Sequence, residues 1–226
     1  TGRDINFDMG RVEGYRNFCN KIFNAARFVL MNCEDFDISI KKSYTPATPE
    51  RWILSRLQHC ITDYRKHLDN YRLDLASQVI YDFFWNEYCD WFLEMAKPLL
   101  KTEQNPHVQF TLLTVLDQAL RLLHPIMPFL TEEIWQAVAD KLTLGSQSIM
   151  ISAFPAANPN KTDDQADADI KWLKQLTLSV RQIRSEMNIA PGKPLRVLLS
   201  DYTETDAKNV AEHQTLIKTM ARLEGI

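Results

Sequence analysis

Glycine, cysteine and net charge are all sparse in this chain, and each scarcity narrows what it can be. Six glycines and ten prolines among 226 residues exclude a collagen-like or low-complexity chain. The four cysteines, Cys19, Cys33, Cys60 and Cys89, are far apart, each within an apolar helical run. They form no C-x-x-C pair and no His/Cys cluster at zinc spacing, so they read as buried free thiols in a reducing compartment. The formal charge is -3, which excludes a uniformly basic nucleic-acid binder; any polyanion site has to be a local basic face. No run approaches the ~18 apolar residues of a membrane span, and no signal peptide opens the chain. The expectation is a soluble, cytoplasmic protein with no membrane partner. Catalytic signatures are missing too: there is no H-E-x-x-H, no G-x-S-x-G and no P-loop. The histidines His59, His67, His107, His124 and His213 are scattered, and His124, placed before a proline, reads as a helix-terminal hydrogen bonder rather than a ligand.

What is present is ordinary globular material, 45% hydrophobic and 24% charged, with five tryptophans to fill a sizeable core. The length suits one large domain or two small ones. The first residues, Thr1 to Phe7, include no initiator methionine, and Leu223–Ile226 ends a helical pattern, so this stretch is expected to belong to a longer polypeptide.

Apolar residues at helical spacing dominate. A first helix is expected over about Met9–Met31. A second starts at Thr48 as N-cap, with Pro49 at its first helical position and a stripe of Ile53, Leu57, Ile61 (or Cys60), Tyr64 and Leu68. A third covers about Leu73–Lys97, with Ala76, Val79, Ile80, Phe83 and Trp91, and is stopped by Pro98. A fourth runs from His107 to His124. Thr131 caps a fifth, with Glu132 and Glu133 in its first turn.

Residues 145–159 read as a short extended segment and a proline-bounded turn. A sixth helix spans about Asp164–Met187. The acids at its start, Asp163, Asp164, Asp167 and Asp169, read as a solvated cap favoured by the helix dipole rather than a metal site. Beyond the linker "NIAPGKPL", Leu195–Ser200 alternates like a strand, and Thr203 and Asp206 form a capping box for a last helix. No 20–50-residue repeat is visible. The fold expected is mainly α: an antiparallel helical bundle over residues 1–190, followed by a linker and the beginning of a small α/β subdomain over residues 191–226.

The stretch "RNFCNKIFNAARF" (16–28) carries chemistry that a core helix does not need. Asparagine is a poor helix former, yet Asn17, Asn20 and Asn24 fall within eight positions. At ~100° per residue, Val12, Tyr15, Cys19, Ile22, Phe23, Ala26, Val29 and Leu30 fall on one apolar arc, with Phe18 at its edge. Opposite lie Asn17, Lys21, Asn24 and Phe28, flanked by Asn20 and Arg27. Amides donate to and accept from base edges, Lys and Arg neutralise phosphate, and an aromatic ring stacks an unpaired base. Between Arg11 and Leu30 four basic residues face one acid, Glu13. Periodicity alone leaves two readings open: a ligand-binding ridge, or a Phe28 covered by a neighbouring helix with the asparagines capping and bridging around it.

"TGRDINF", "RNFCNKIFNAARFVL", "LDLASQ", "FWNEYCDWFLE", "HPIMPFLTEEIW" and "IRSEMNIAPGKPL" together resemble the valyl-tRNA synthetases, over nearly the whole chain and more weakly after about Leu199. "HPIMPFLTEEIW" is shared among related synthetases; "NKIFNAARF" and "NEYCDWFLE" point to the valine enzymes. The resemblance implies the helical anticodon-binding domain and the start of the region after it. The HIGH and KMSKS signatures of the family's catalytic domain do not occur here. The family's ligase activity, with its ATP and magnesium, therefore belongs to a domain upstream, and no cofactor or metal is expected in this portion. The implied partners are the anticodon stem-loop of tRNA(Val) and the upstream catalytic domain, and a monomer is expected.

Carried over by resemblance, Asn20, Lys21, Asn24, Arg27 and Phe28 match the family's anticodon-facing ridge, with Asn17, Asn86, Glu87 and Asp90 as secondary candidates. Phe28 is expected to stack on a splayed base, Lys21 and Arg27 to hold phosphates or base edges, and Asn20 and Asn24 to read Watson–Crick edges. Phe23, where many relatives carry tryptophan, lies on the expected core arc. Arg181, Arg184 and Glu186 also match the family, and a buried ion-pair network is the expectation for them. A helical protein-interaction scaffold with no RNA role is the competing reading.

Overall fold

The computed structural model describes residues 7–226, so Thr1–Asn6, which hold most of "TGRDINF", lie outside the described residues. Eight α-helices are built much where periodicity places them: α1 Met9–Asn32, α2 Thr48–Asp69, α3 Leu73–Asp82, α4 Leu93–Leu99, α5 Asn105–Leu123, α6 Pro128–Leu142, α7 Asp164–Glu186 and α8 Glu204–Ala221. Between α3 and α4 the chain stays helical but widens to a π-helix over Phe83–Phe92. The three segments form one continuous rod, because the residues at both joins keep right-handed helical angles. The expected mainly α, helical-bundle fold is observed.

Helix α5 is the axis of the bundle. Val108, Leu112, Leu113, Val115, Leu116, Ala119, Leu120, Leu122 and Leu123 are all buried, an apolar face that takes up about half of its circumference at ~100° per residue. Helices α1, α2, α3, α4 and α6 pack against it, α7 lies on α2, and α8 lies on α7 and α4. The apolar stripe of α2 (Ile53, Leu57, Cys60, Ile61 and Tyr64) is buried as expected. Cys33, Cys60 and Cys89 are buried free thiols and Cys19 is half-buried. Burial holds the thiols of Cys33 and Cys89 protonated, pushing each up to about 12.

Several local expectations change in the structure. Helix α2 is capped at Ala47, one residue before Thr48; Ala47 has no side-chain oxygen, and instead Glu50 Oε2 accepts its N–H at 2.8 Å. Pro98 lies inside the last turn of α4, where the ring is tolerated near a helix end, and the stop comes at Leu99. Helix α6 begins at Pro128, so Thr131 is internal and Glu132 and Glu133 fall beyond the first turn. The Thr131 hydroxyl donates to Met127 O and shares a 2.8 Å hydrogen bond with His124 Nδ1, the helix-terminal role expected of that histidine. Ile149–Ile151 form a 3-10 turn rather than an extended segment, because Ser148 caps it by accepting from Met150 N.

Of the expected strand Leu195–Ser200, only Leu195–Arg196 pairs, in parallel with Leu223–Gly225. Leu198 has no partner face and is 95% exposed. The Thr203/Asp206 capping box is present. Among the acids before α7, Asp163 caps the helix through Ala166 N and Asp164 is exposed, but Asp167 turns inward to accept from Ser55 at 3.0 Å and Asp169 is buried. No helix of the described residues is long and apolar enough to cross a membrane.

Candidate anticodon-loop interface

The first two turns of α1 stand clear of the bundle. Val12 and Tyr15, expected on the core arc, are exposed, Tyr15 by 66%. Phe23 is also 53% exposed rather than packed. The buried face is turned by about one position and centres on Phe18, Ile22, Ala25, Ala26 and Val29. A Val12 origin misplaces the arc because residues that touch nothing contributed to it.

This turn brings the opposite side of α1 against the π-helical segment rather than out into open solvent. Asn17, Asn20, Lys21, Asn24 and Phe28 form one wall of an open groove of 480 Å³; Trp85, Asp90, Leu93, Glu94 and Lys97 form the other. A π-helix bonds i to i+5, so Trp85 and Asp90, five apart, can address the same neighbour. Both meet Lys21: its Nζ lies 2.6 Å from Asp90 Oδ1 and 4.0 Å from the Trp85 ring centroid. Phe18, Tyr81 and Trp85 stack beneath, with centroids 4.6–6.1 Å apart, and fix the indole. Lys97 pairs with Glu94 at 2.5 Å and lies 5.9 Å over the half-buried Phe28 ring.

Charge in the groove is therefore balanced: two lysines face two carboxylates, each pair closed. Lys21 is spoken for, and Arg27 is exposed on α1 but does not line the groove. The three asparagines differ from some others in the chain. Asn32 Nδ2 donates to Phe28 O at 2.8 Å and Asn70 Nδ2 to Lys66 O at 2.6 Å. No hydrogen bond within the described residues engages the amides of Asn17, Asn20 or Asn24. The groove thus offers free amides, two aromatic rings and carboxylate acceptors with no surplus cation. Such a set suits an uncharged planar group with donors and acceptors on its edge, a nucleobase, better than a phosphate.

The secondary candidates divide. Asp90 belongs to the groove. Asn86 and Glu87 lie on the α2 side of the rod, where Glu87 accepts from Arg56 Nε at 2.9 Å and Asn86 donates to Asp82. Sequence reasoning missed Trp85 and Lys97. The aromatic-rich "FFWNEYCDWF" was the available signal, but a 3.6 period cannot assign faces in a segment wound at a different pitch.

Arg181 and Arg184 do not form ion pairs within the described residues. Arg184 is buried and donates to carbonyls: Lys193 O at 2.7 Å, Arg222 O at 2.9 Å and Ala221 O at 3.2 Å. It sits on the C-terminal end of α8, where the helix dipole favours a cation. Arg181 lies 5.5 Å from the Trp91 centroid and reaches Met220 O at 3.4 Å. Glu186 accepts from Gln182.

Residues 50–199 match the family model described as the anticodon-binding domain of tRNA ligase. The match includes the π-helical wall of the groove, while the asparagine wall on α1 precedes it. It covers well over half of the chain, which therefore belongs to the family of anticodon-binding domains of tRNA ligases.

Proposed function

We propose that this domain reads the anticodon loop of tRNA(Val) through the groove between α1 and the π-helical segment, as part of a valine–tRNA ligase. The observation that carries the assignment is the ridge of unengaged amides, Asn17, Asn20 and Asn24, beside Phe28 and Trp85. Phe28 supplies a stacking face, while Trp85, covered by Lys21, holds that lysine in place. Asn20 and Asn24 fit the N6/N7 edge of the middle adenine that valine anticodons share, and Asp90 and Glu94 fit the N4 amino group of the third-position cytosine. Lys21, held by Asp90 and Trp85, positions the acceptor carboxylate, and Arg27 meets the phosphate backbone outside the groove.

Valine activation with ATP and magnesium belongs to a catalytic domain preceding this one, and no cofactor is assigned to the groove. Met9, Val12 and Tyr15, exposed at the start of α1, form the surface on which that preceding domain docks. Residues 1–190 act as the anticodon-binding unit, and residues 191–226 begin the next subdomain. The domain works as a monomer in the cytoplasm.

The test is titration of the chain with a valine anticodon stem-loop and with the same stem-loop carrying guanine at the middle position. The valine stem-loop is expected to bind at least tenfold more tightly. Phe28→Leu, which keeps most of the packing but removes the ring, is expected to lower its affinity about tenfold or more, since stacking contributes roughly 1–3 kcal/mol per base. Equal binding of the two stem-loops, or an unchanged affinity in Phe28→Leu, refutes the assignment.

A further inference from the structure

We propose that Asp169 on α7 and the adjacent Glu212 and His213 on α8 bind a divalent transition-metal ion of the zinc class. One carboxylate oxygen from each acid and a ring nitrogen of His213 lie within 4.8 Å of one another. His213 is only 5% exposed, and its Nε2 is enclosed with no hydrogen-bond partner. A neutral imidazole nitrogen left bare in the interior is costly unless something with an empty orbital or a proton meets it.

The local backbone explains how two successive residues serve one site. Neighbours on an α-helix point about 100° apart. At His213 the helix breaks, with φ -111° and ψ 16°, which lets its ring and the Glu212 carboxylate converge. Asp169 is 7% exposed, and its Oδ1 accepts from Gln165 Nε2 at 2.7 Å, an outer hydrogen bond that orients the carboxylate. Glu212 is exposed, with Lys208 at 3.8 Å as its ion-pair partner.

One imidazole and two carboxylates suit zinc or its relatives better than magnesium or calcium, which take all-oxygen shells. Zinc bonds of 2.0–2.2 Å set tetrahedral ligand atoms about 3.4 Å apart. The arms therefore close by up to about 1.4 Å on binding, a movement within reach of the exposed Glu212 side chain. Bound metal ties α7 to α8 and so fastens residues 204–221 to the bundle.

The chain is stripped with chelator, then titrated with zinc while its melting is followed, and with cobalt while visible absorption is followed. A single equivalent of cobalt is expected to develop absorption, and saturating zinc to raise the melting temperature by roughly 5–10 °C. His213→Gln and Asp169→Asn are expected to abolish both. Glu212→Gln, a surface change that cannot prevent folding, is expected to weaken binding at least tenfold. Failure of the unaltered chain to bind cobalt overturns the proposal. So does binding that survives unchanged in Glu212→Gln and His213→Gln, which assigns the metal to a surface histidine elsewhere.

Discussion

The groove beside α1 and the node around Arg184 are both polar, yet they satisfy their polar groups in opposite ways. Arg184 is buried, and the two terminal nitrogens of its guanidinium are matched by backbone carbonyls of the linker and the end of α8. Only its Nε has no partner among the described residues, and removal of the side chain strands several acceptors at once. In the groove the lysines and carboxylates are paired near the surface, while the asparagine amides have only water to meet. The difference separates polar groups that hold a fold from polar groups that wait for a partner. Buried groups are mostly satisfied within the chain; exposed ones are open to what binds.

The sharpest break in that contrast is Arg184→Ala. It leaves the carbonyls of Lys193, Ala221 and Arg222 without their donor and is expected to cost on the order of 3–5 kcal/mol. Hydrogen exchange should show the loss concentrated in residues 190–226, with groove affinity for the stem-loop nearly unchanged.

Glu50 is a second structural polar group, and its signature is pH dependence. It is fully buried at the start of α2; burial raises its pKa from 4.5 to about 7, although the Ala47 N–H and the Thr111 hydroxyl favour the ionised form. The folded protein therefore holds this proton more tightly than the unfolded chain. Its contribution to stability is greatest below pH 4.5, declines as pH rises from 4.5 to 7, and is level above that. The stability lost across that window is on the order of 3 kcal/mol. Denaturant melts of Glu50→Gln at several pH values should lack this slope.

Asn24→Ala probes the other side of the comparison. It should change stability by less than about 0.5 kcal/mol, since the side chain is exposed and unengaged, while costing about 1–3 kcal/mol in stem-loop binding if it reads a base edge. Asn86→Ala, the same residue type a short distance away on the α2 side of the rod, should change neither quantity measurably. Calorimetry of the two variants with the same stem-loop separates an unengaged amide on the groove from an amide on the far side of the rod, where Asn86 donates to Asp82.

Much of this was legible in the residues. The burial of Ile53, Leu57, Ile61 and Tyr64 follows from a 3.6 period against a single core, and the polar ridge of α1 was visible for the same reason. The errors have identifiable causes. Val12, Tyr15 and Phe23 looked like core because periodicity records which side is apolar but not where the packing partner ends. Trp85 and Lys97 were hidden because the π-helical pitch reassigns faces without changing composition. Arg184 resembled half of an ion pair because a sequence names side chains and cannot show carbonyls gathered from three segments.

The sequence by itself determined the helical class, the helix boundaries to within a few residues, and the presence of amides, cations and an aromatic on one side of α1, since all of these rest on local spacing. Only the tertiary structure decided that this side faces a wall of Trp85, Asp90 and Lys97, that its charges are already balanced, and that Asp169 meets Glu212 and His213. Those facts depend on which surfaces of distant segments meet, and long-range packing leaves no period in the chain.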